Sequence, residues 1–456
     1  MEKEFLSEEV DRLIEERRFA ALRHLLESNN PTDIAELFEG MPKERLTVLY
    51  RILPKEQAAE VFVDMSAEQQ KLLIDSFSDY EIKQIFDEMY SDDTADIIEE
   101  MPANVVRRIL ANVTPDMRRS VNLLLRYPED SAGSMMTTEY VALKRQLTVA
   151  EALSYIRKVA IDKETIYNCY VTDANRNLIG LVTAKTLLIS DTDAVIGDIM
   201  EQNVISATTF MDKEQVARMF NKYDFLALPV VDGDNRLVGI ITVDDAIDVI
   251  HEETEEDFAK MAAIAPTDKS YLRTSVWELW RTRIPWLLVL MVSATFTGWI
   301  ISSFEAALAV CVVLTSFIPM LMGTGGNAGS QASVTVIRGL STGELTYKDW
   351  FRVLFKEMRV SLLCGATLAV AAFAKLQLLD RWILGNDEIT LTVSFIVSVT
   401  LLMTVVFAKL FGSTLPLLAE RLGFDPAVMA SPFITTVVDA ISLVVYLSVA
   451  SAILPI

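Results

Sequence analysis

The chain has 456 residues, 41 Lys plus Arg against 63 Asp plus Glu, a formal net charge of −22 and a 51% hydrophobic content. So acidic a chain repels nucleic acid, and its three scattered cysteines, Cys169, Cys311 and Cys364, give neither a disulfide framework nor a Cys-based metal spacing. With only His24 and His251, imidazole selection of transition metals is disfavoured as well, and His251 reads as an exposed polar position.

The acidity belongs to one part of the chain. Residues 1–270 hold 29 Lys plus Arg against 52 Asp plus Glu, whereas residues 271–456 hold 12 against 11. The first residues are charged and amphipathic without an apolar leader, so a cytosolic N-terminus is expected. Residues 1–130 read as an acidic all-α helical repeat. Met41, Met65, Met89 and Met101 recur at multiples of twelve, each ending a similar helical phrase, which predicts a stacked solenoid with these apolar faces in its core. The interleaved acids Glu60, Asp92, Asp93 and Asp96 read first as its solvated face.

A second repeat follows over 131–195 and 196–253. V-T-D-A-N-R-N-L-I-G-L-V-T, from Val171 to Thr183, is answered fifty-nine residues later by V-V-D-G-D-N-R-L-V-G-I-I-T, from Val230 to Thr242. Each copy predicts strand, polar turn and strand, flanked by helices. This α/β arrangement resembles a tandem CBS pair. In that family a Gly-x-x-Thr-x-x-Asp segment touches an adenosine ribose and phosphate, which implies an adenine nucleotide such as ATP at Gly239, Thr242 and Asp245; the first copy lacks the acid, and a purely structural CBS fold is the alternative. The run from Asp244 to Asp257 then sets Asp245, Asp248 and Glu252, and next Glu253, Glu256 and Asp257, at helical spacing, where like charges repel unless cations neutralise them. A connecting helix is expected over 254–275.

Residues 276–456 predict a five-helix transmembrane domain, with apolar spans near 284–303, 306–337, 359–379, 389–412 and 430–454. The Lys/Arg bias of the connections places the N-terminus inside and the C-terminus outside. Pro319 to Gln331, P-M-L-M-G-T-G-G-N-A-G-S-Q, is expected to break the second span at membrane depth and line a polar path, with Gly325, Gly326 and Asn327 exposed to it; a tight contact of small residues between helices is the alternative. Asp439 is the one acid in the last span, and Ser431, Thr435, Thr436 and Ser442 recur with it on one helix face. A carboxylate there is a candidate cation ligand or field source.

Taken together, the acidic helical repeat, CBS pair, acidic connecting helix and five spans with G-T-G-G-N-A-G-S-Q resemble the MgtE family of Mg2+ channels. The resemblance implies a homodimer in the inner cell membrane, in contact with lipid, whose pore lies between the second and fifth helices with Asp439 conferring selectivity beside Asn327, Gly325, Gly326 and Thr436. Ser431 stands where a family member carries Asn. It also implies that cytosolic Mg2+ closes the gate by binding Glu60, Asp92, Asp96, Asp212, Glu214, Asp224, Asp245, Asp248, Glu253, Glu256 and Asp257. The function expected from the resemblance is a Mg2+-selective channel or transporter for magnesium uptake; catalysis is not expected, because no nucleophile–base pair, Gly-rich phosphate loop or His cluster is present. A nucleotide-sensing membrane protein is the competing class.

Overall fold

The structure is a computed structural model that describes residues 2–267, 271–272, 274–305, 309, 311–429 and 431–453. It divides into two compact units, Met1–Ile250 and His251–Ile456.

The first unit begins with ten helices, α1 (Glu2–Glu15) to α10 (Pro115–Leu124). Polar caps start several of them: the Asn30 side chain accepts from the Thr32 amide before α3 (Pro31–Phe38), and Ser78 and Glu81 form a reciprocal capping box at α7 (Asp79–Phe86). Alternate helices stack, α3 on α5 (Lys55–Val63), α5 on α7 and α7 on α9 (Ala103–Asn112). The repeat is therefore a helix pair. Phe38, Phe62 and Phe86, twenty-four residues apart, are fully buried along its axis, with Phe62 and Phe86 edge to face at 6.1 Å. Met65, Met89 and Met101 are buried beside them, as the apolar periodicity predicts.

Two three-stranded sheets follow. β1 (Val141–Lys144) runs parallel to β2 (Asn168–Thr172), which pairs antiparallel with β3 (Leu178–Thr183); β4 (Ala207–Thr208), β5 (Ala227–Val231) and β6 (Leu237–Thr242) repeat this order. Register matches too, with Val171 opposite Gly180 and Val230 opposite Gly239. The polar turns are built alike. One carboxylate oxygen of Asp173 accepts from the Asn175 and Asn177 amides, and Asp232 does the same for Asp234 and Arg236. Helix α11 (Val149–Val159) covers the first sheet and α14 (Lys213–Tyr223) the second.

Helix α15 (Val243–Met261) starts directly after β6. The acidic run is helical from Val243, in line with its helical spacing, but the expected connecting helix over 254–275 is corrected at its far end: the helix stops at Met261, before Pro266. Residues 268–270 and 273 of that stretch lie outside the described residues.

In the second unit the long helices are α16 (Val276–Ser303), α17 (Ile318–Ser341), α18 (Trp350–Ala374, continued in π form over Lys375–Ile383), α19 (Leu391–Leu422) and α20 (Ser431–Ile453). Four stretches, Val276–Ser303, Tyr347–Ile383, Leu391–Leu422 and Pro426–Ile453, are long and apolar enough to cross a membrane. Helix α17 falls short of that apolarity because it carries the glycines, Asn327 and Gln331. The predicted break within it is overturned. Pro319 sits in the first turn, where its missing N–H is no loss, and the helix continues through Gln331 to Ser341. The predicted span from 306 is not one helix either: Val312–Phe317 is a 3-10 turn, and 306–308 and 310 lie outside the described residues.

Candidate functional site

Seven carboxylates of the first unit meet in one place. Glu60 and Asp64 at the end of α5, Asp92 and Asp93 in the first turn of α8 (Ser91–Glu100), Glu164 in a loop, and Asp244 and Asp245 in the first turn of α15 line a cavity of 410 Å3 with Tyr90 and Thr242. No lysine or arginine is among the described residues lining it. Asp92 is only 7% exposed. Burial, and then the charges of Asp93, Asp245 and Glu164, push its carboxyl well above the usual range. Burial together with neighbouring acids pushes Asp93 up to about 7 and Glu164 up to about 8. Burial raises Asp245 to about 6, with Asp244 adding to the rise and the Thr242 hydroxyl (2.6 Å) and amide, which donate to it, opposing it. Asp96, one turn along α8, is also raised, by burial and by Asp245 and Asp93.

Hydrogen bonds to the Glu139 carboxylate hold α8 in this position. Ser91 is fully buried and donates to Glu139 at 2.7 Å, and the same carboxylate accepts from the Thr137 hydroxyl and the Thr138 amide. The acids are therefore crowded by their backbone setting and not by attraction to one another. Among the described residues no three His, Cys, Asp or Glu side chains converge closely enough to ligate one ion directly.

Of the predicted set, Glu60, Asp92 and Asp245 line this cavity. Asp212, Glu214 and Asp224 do not. Asp212 caps α14 by accepting from the Glu214 amide, Glu214 pairs with Arg218, and Asp224 ends α14 in the left-handed conformation at φ 55°. Gly239 is a packing residue, since a Cβ there would stand 2.6 Å from the Met136 sulfur and 2.7 Å from the Thr137 carbonyl. Asp248 is exposed on α15, as is His251. Sequence reasoning missed Asp64, Glu164 and Asp244, and it read Asp93 only as part of the solvated face.

Within the second unit the last turns of α15 are tied down by charge. Lys260 reaches Glu256 and Asp425 at 2.6 Å each; burial lowers its pKa, but the two carboxylates outweigh that and leave it raised. Ser341, at the end of α17, donates to Asp257 at 2.9 Å, and Met261 packs on Ile337 and Ala427. Glu253 lies half-buried one turn earlier.

Asp439 is half-buried on α20, with no ion-pair partner among the described residues. Thr435 and Thr436 on the same helix donate back to the Pro432 carbonyl, and Ser442 to that of Val438. The side chain of Ser431 lies outside the described residues. Gly325 and Gly326 are contact residues: a Cβ on Gly325 would stand 2.7 Å from Thr404 and 2.8 Å from the Ser442 hydroxyl, and one on Gly326 3.1 Å from Thr435. Here the small-residue alternative describes the packing. Asn327 turns elsewhere, to a cavity it shares with Ser330, Gln331, Thr335, Glu357 of α18 and Lys409 of α19. Sequence reasoning missed that last pair too, although Lys409 is the only charged residue between Glu388 and Glu420.

A carboxylate-lined helical-repeat and sheet unit, joined to a unit with four membrane-length apolar stretches, defines a multi-pass membrane protein of the cation-handling class. Three family descriptions match in succession: the MgtE intracellular N domain over 29–130, CBS domains over 132–191 and 196–252, and a divalent cation transporter domain over 318–449. The magnesium transporter MgtE of Thermus thermophilus is 40% identical over 76% of this chain and 75% of its own length; that of Bacillus subtilis is 37% identical over 75% and 74%. A solved cytosolic domain of the Mg2+ channel MgtE in complex with ATP is 37% identical, with a TM-score of 0.51, and covers 53% of this chain and 99% of that one. The chain belongs to the MgtE family of divalent cation transporters.

Proposed function

We propose that this protein is a Mg2+-selective channel or transporter for magnesium uptake, gated by Mg2+ on its cytosolic side, and not an enzyme. It works as a homodimer in the inner cell membrane with its N-terminus in the cytosol and its spans against lipid. Helix α16, which buries none of its residues, suits either lipid or a second copy. Relatives named as magnesium transporters support the substrate. The observation that carries the gating is the acidic cavity: seven carboxylates with no lysine or arginine among its described lining residues.

The donors fit a hard divalent cation. They are all oxygens, several are buried, and they are crowded enough to raise their own pKa values. Asp92, Asp93, Glu164 and Asp245 would hold the hydrated ion through its waters, with Glu60, Asp64 and Asp244 around it. A bound cation supplies charge neutralisation there. Without it the acids of α8 and α15 repel, and only the Ser91–Glu139 and Thr242–Asp245 hydrogen bonds oppose their separation. Glu253, Glu256 and Asp257 on α15, with Asp248 before them, then transmit the state of the sensor to the transport unit, where Asp439 faces the permeating ion and Thr436 adds an oxygen, while Asn327 serves the separate cavity on α17. Asp96, Asp212, Glu214 and Asp224 complete an acidic surface that attracts Mg2+ less specifically.

A second ligand is favoured by one observation, the ATP held by the related cytosolic domain. An adenine nucleotide would occupy the CBS pair here as well, near Gly239 and Thr242. Asp245 belongs to the cation cavity in this reading, so nucleotide and Mg2+ influence one another through it.

The test is patch recording of the reconstituted protein across internal Mg2+. Open probability falls as internal Mg2+ rises, and Asp93→Asn with Asp245→Asn, which removes the repulsion together with the ligands, flattens that dependence on Mg2+. A closing curve that stays in place in that variant overturns the assignment of the sensor.

A further inference from the structure

The membrane unit holds a charged pair whose geometry does not suit a structural brace. Lys409 lies deep in α19, an apolar 32-residue helix, and only 8% of its side chain is exposed. Glu357 of α18 faces it with 13% exposure. Their nearest approach is 3.9 Å, about 1 Å beyond a charge-assisted hydrogen bond. The Glu357 Oε2 atom is buried and has no hydrogen-bond partner. Burying two charges is repaid only where the geometry is good and the remaining lone pairs are satisfied. Neither holds here, so the pair is Coulombic, costly and easily separated.

What surrounds it is roomy and polar. The pair opens on a cavity of 770 Å3 whose other polar lining comes from Asn327, Ser330, Gln331 and Thr335 of α17. Six waters at about 30 Å3 each would take up a fraction of that space, so a hydrated divalent cation fits without shedding its shell. Amide and hydroxyl oxygens are the outer ligands that Mg2+, reluctant to dehydrate, accepts. An ammonium held near a carboxylate in such a chamber occupies the position of a cation without forming its bonds.

We propose that Glu357 is a cation-binding side chain in the wall of this cavity and that Lys409 is its tethered counter-ion, which yields the carboxylate to an entering hydrated divalent cation. The inference rests on the transport reading above and adds a second charged station to it, on a wall of α17 other than the one packed against α20. When the chamber is empty Lys409 neutralises Glu357. When a cation enters, its double charge outcompetes the single charge of the ammonium, which withdraws into the same wall; as the ion leaves, Lys409 returns and repels it outward. The two charges therefore act on cation affinity in opposite senses, whereas the two halves of a brace would act in the same sense.

That opposition is the test. Mg2+ uptake by the full-length protein in liposomes is measured against external Mg2+, with size-exclusion profiles confirming the folded state. Glu357→Gln is expected to raise the half-saturating Mg2+ concentration by about tenfold or more, and Lys409→Met to lower it by a similar factor while slowing maximal uptake, because the ion is held too long. Lys409→Gln, which keeps a hydrogen-bond donor beside Glu357 without its charge, carries the same expectation and serves if Lys409→Met is not recovered folded. Shifts of the two singles in the same direction, or no shift in either, overturn the proposal. A wild-type protein that carries no Mg2+ at all would instead overturn the transport reading on which it stands.

Discussion

The two units treat carboxylates in opposite ways. In the first, seven acids share one cavity with no basic residue among its described lining, and several are pushed far above their ordinary pKa. In the second, several acids come with cations attached: Asp425 and Glu256 with Lys260, Asp380 with Lys375, Asp349 with Arg352, Glu357 with Lys409. A charge near or within lipid is costly unless neutralised in place, while a charge in a solvated crevice can wait for an ion from solution. An unpaired carboxylate thus carries different weight in the two units. In the first it can await a cation from solution, and on an apolar helix of the second it is an exception. Asp439, with no ion-pair partner among the described residues, is such an exception.

The largest effect should come from the exception itself. Asp439→Ala is expected to lower Mg2+ flux by about two orders of magnitude with the protein still folded, because the one uncompensated field along α20 is gone. Liposome uptake beside a size-exclusion profile checks both halves. Undiminished flux would place Asp439 with the packing residues and erase the contrast between the units.

The second effect tests the receptor side. Replacing Asp92, Asp93 and Asp245 together by Asn removes the repulsion while keeping the shape. The first unit should then melt about 5 °C higher in a metal-free buffer, since 1 kcal/mol moves a unit of this size by about 2–4 °C, and added Mg2+ should raise its Tm no further. Wild-type behaviour in calorimetry, with Mg2+ still stabilising, would show that the ion binds elsewhere.

A subtler effect is pH dependence. Asp93 near 7, Glu164 near 8 and Asp245 near 6 all lie above their ordinary values, so the folded unit binds more protons than the unfolded chain between about pH 4 and pH 8. Stability from these groups is fully present below their ordinary values and is lost as pH rises through the raised ones. In chelator the Tm of the first unit should fall from pH 5 to pH 8, and millimolar Mg2+ should flatten that slope by standing in for the protons. A chelated slope of the opposite sign would mean that the acids are paired after all.

Much of the fold was legible in the sequence because it rests on repetition. The methionine period, the paired V-x-D and G-h-h-T phrases and the long apolar runs each recur in the register in which the structure uses them. The site was legible only where acids cluster locally, as at Asp92 and Asp245. Glu164 reaches the cavity from a loop seventy-two residues beyond Asp92, and Asp64 from a helix end, so only tertiary structure joins them. The glycine segment was misread for a related reason. Helix propensity counts against glycine by about 1 kcal/mol per residue, but the tally omits the neighbours. A Cβ on Gly412 of α19 would stand 2.3 Å from the Gly329 carbonyl of α17, an approach that only small residues on both helices allow and that holds α17 helical against its propensity.

The smallest expected effect lies where the two ways of treating charge meet, on α15. Replacing Glu253, Glu256 and Asp257 by Ala removes acids that repel one another, and also the Glu256–Lys260 pair and the Ser341–Asp257 hydrogen bond. Were these acids a receptor surface like the cavity of the first unit, their loss would mainly remove cation ligands, and the channel would stay open at internal Mg2+ that closes the wild type. Were they paired as elsewhere in the second unit, their loss would mainly loosen α15 from the end of α17. Glu253→Ala alone separates the cases, since it spares both contacts to Lys260 and Ser341. The expectation is that the triple variant needs a few-fold more Mg2+ to close and that the single variant accounts for the smaller share, because partly exposed pairs contribute about 0–1 kcal/mol each and two of them are lost in the triple. Patch recordings of both variants across internal Mg2+ decide it: equal shifts would assign α15 to the receptor, and no shift in either would remove this helix from the gate.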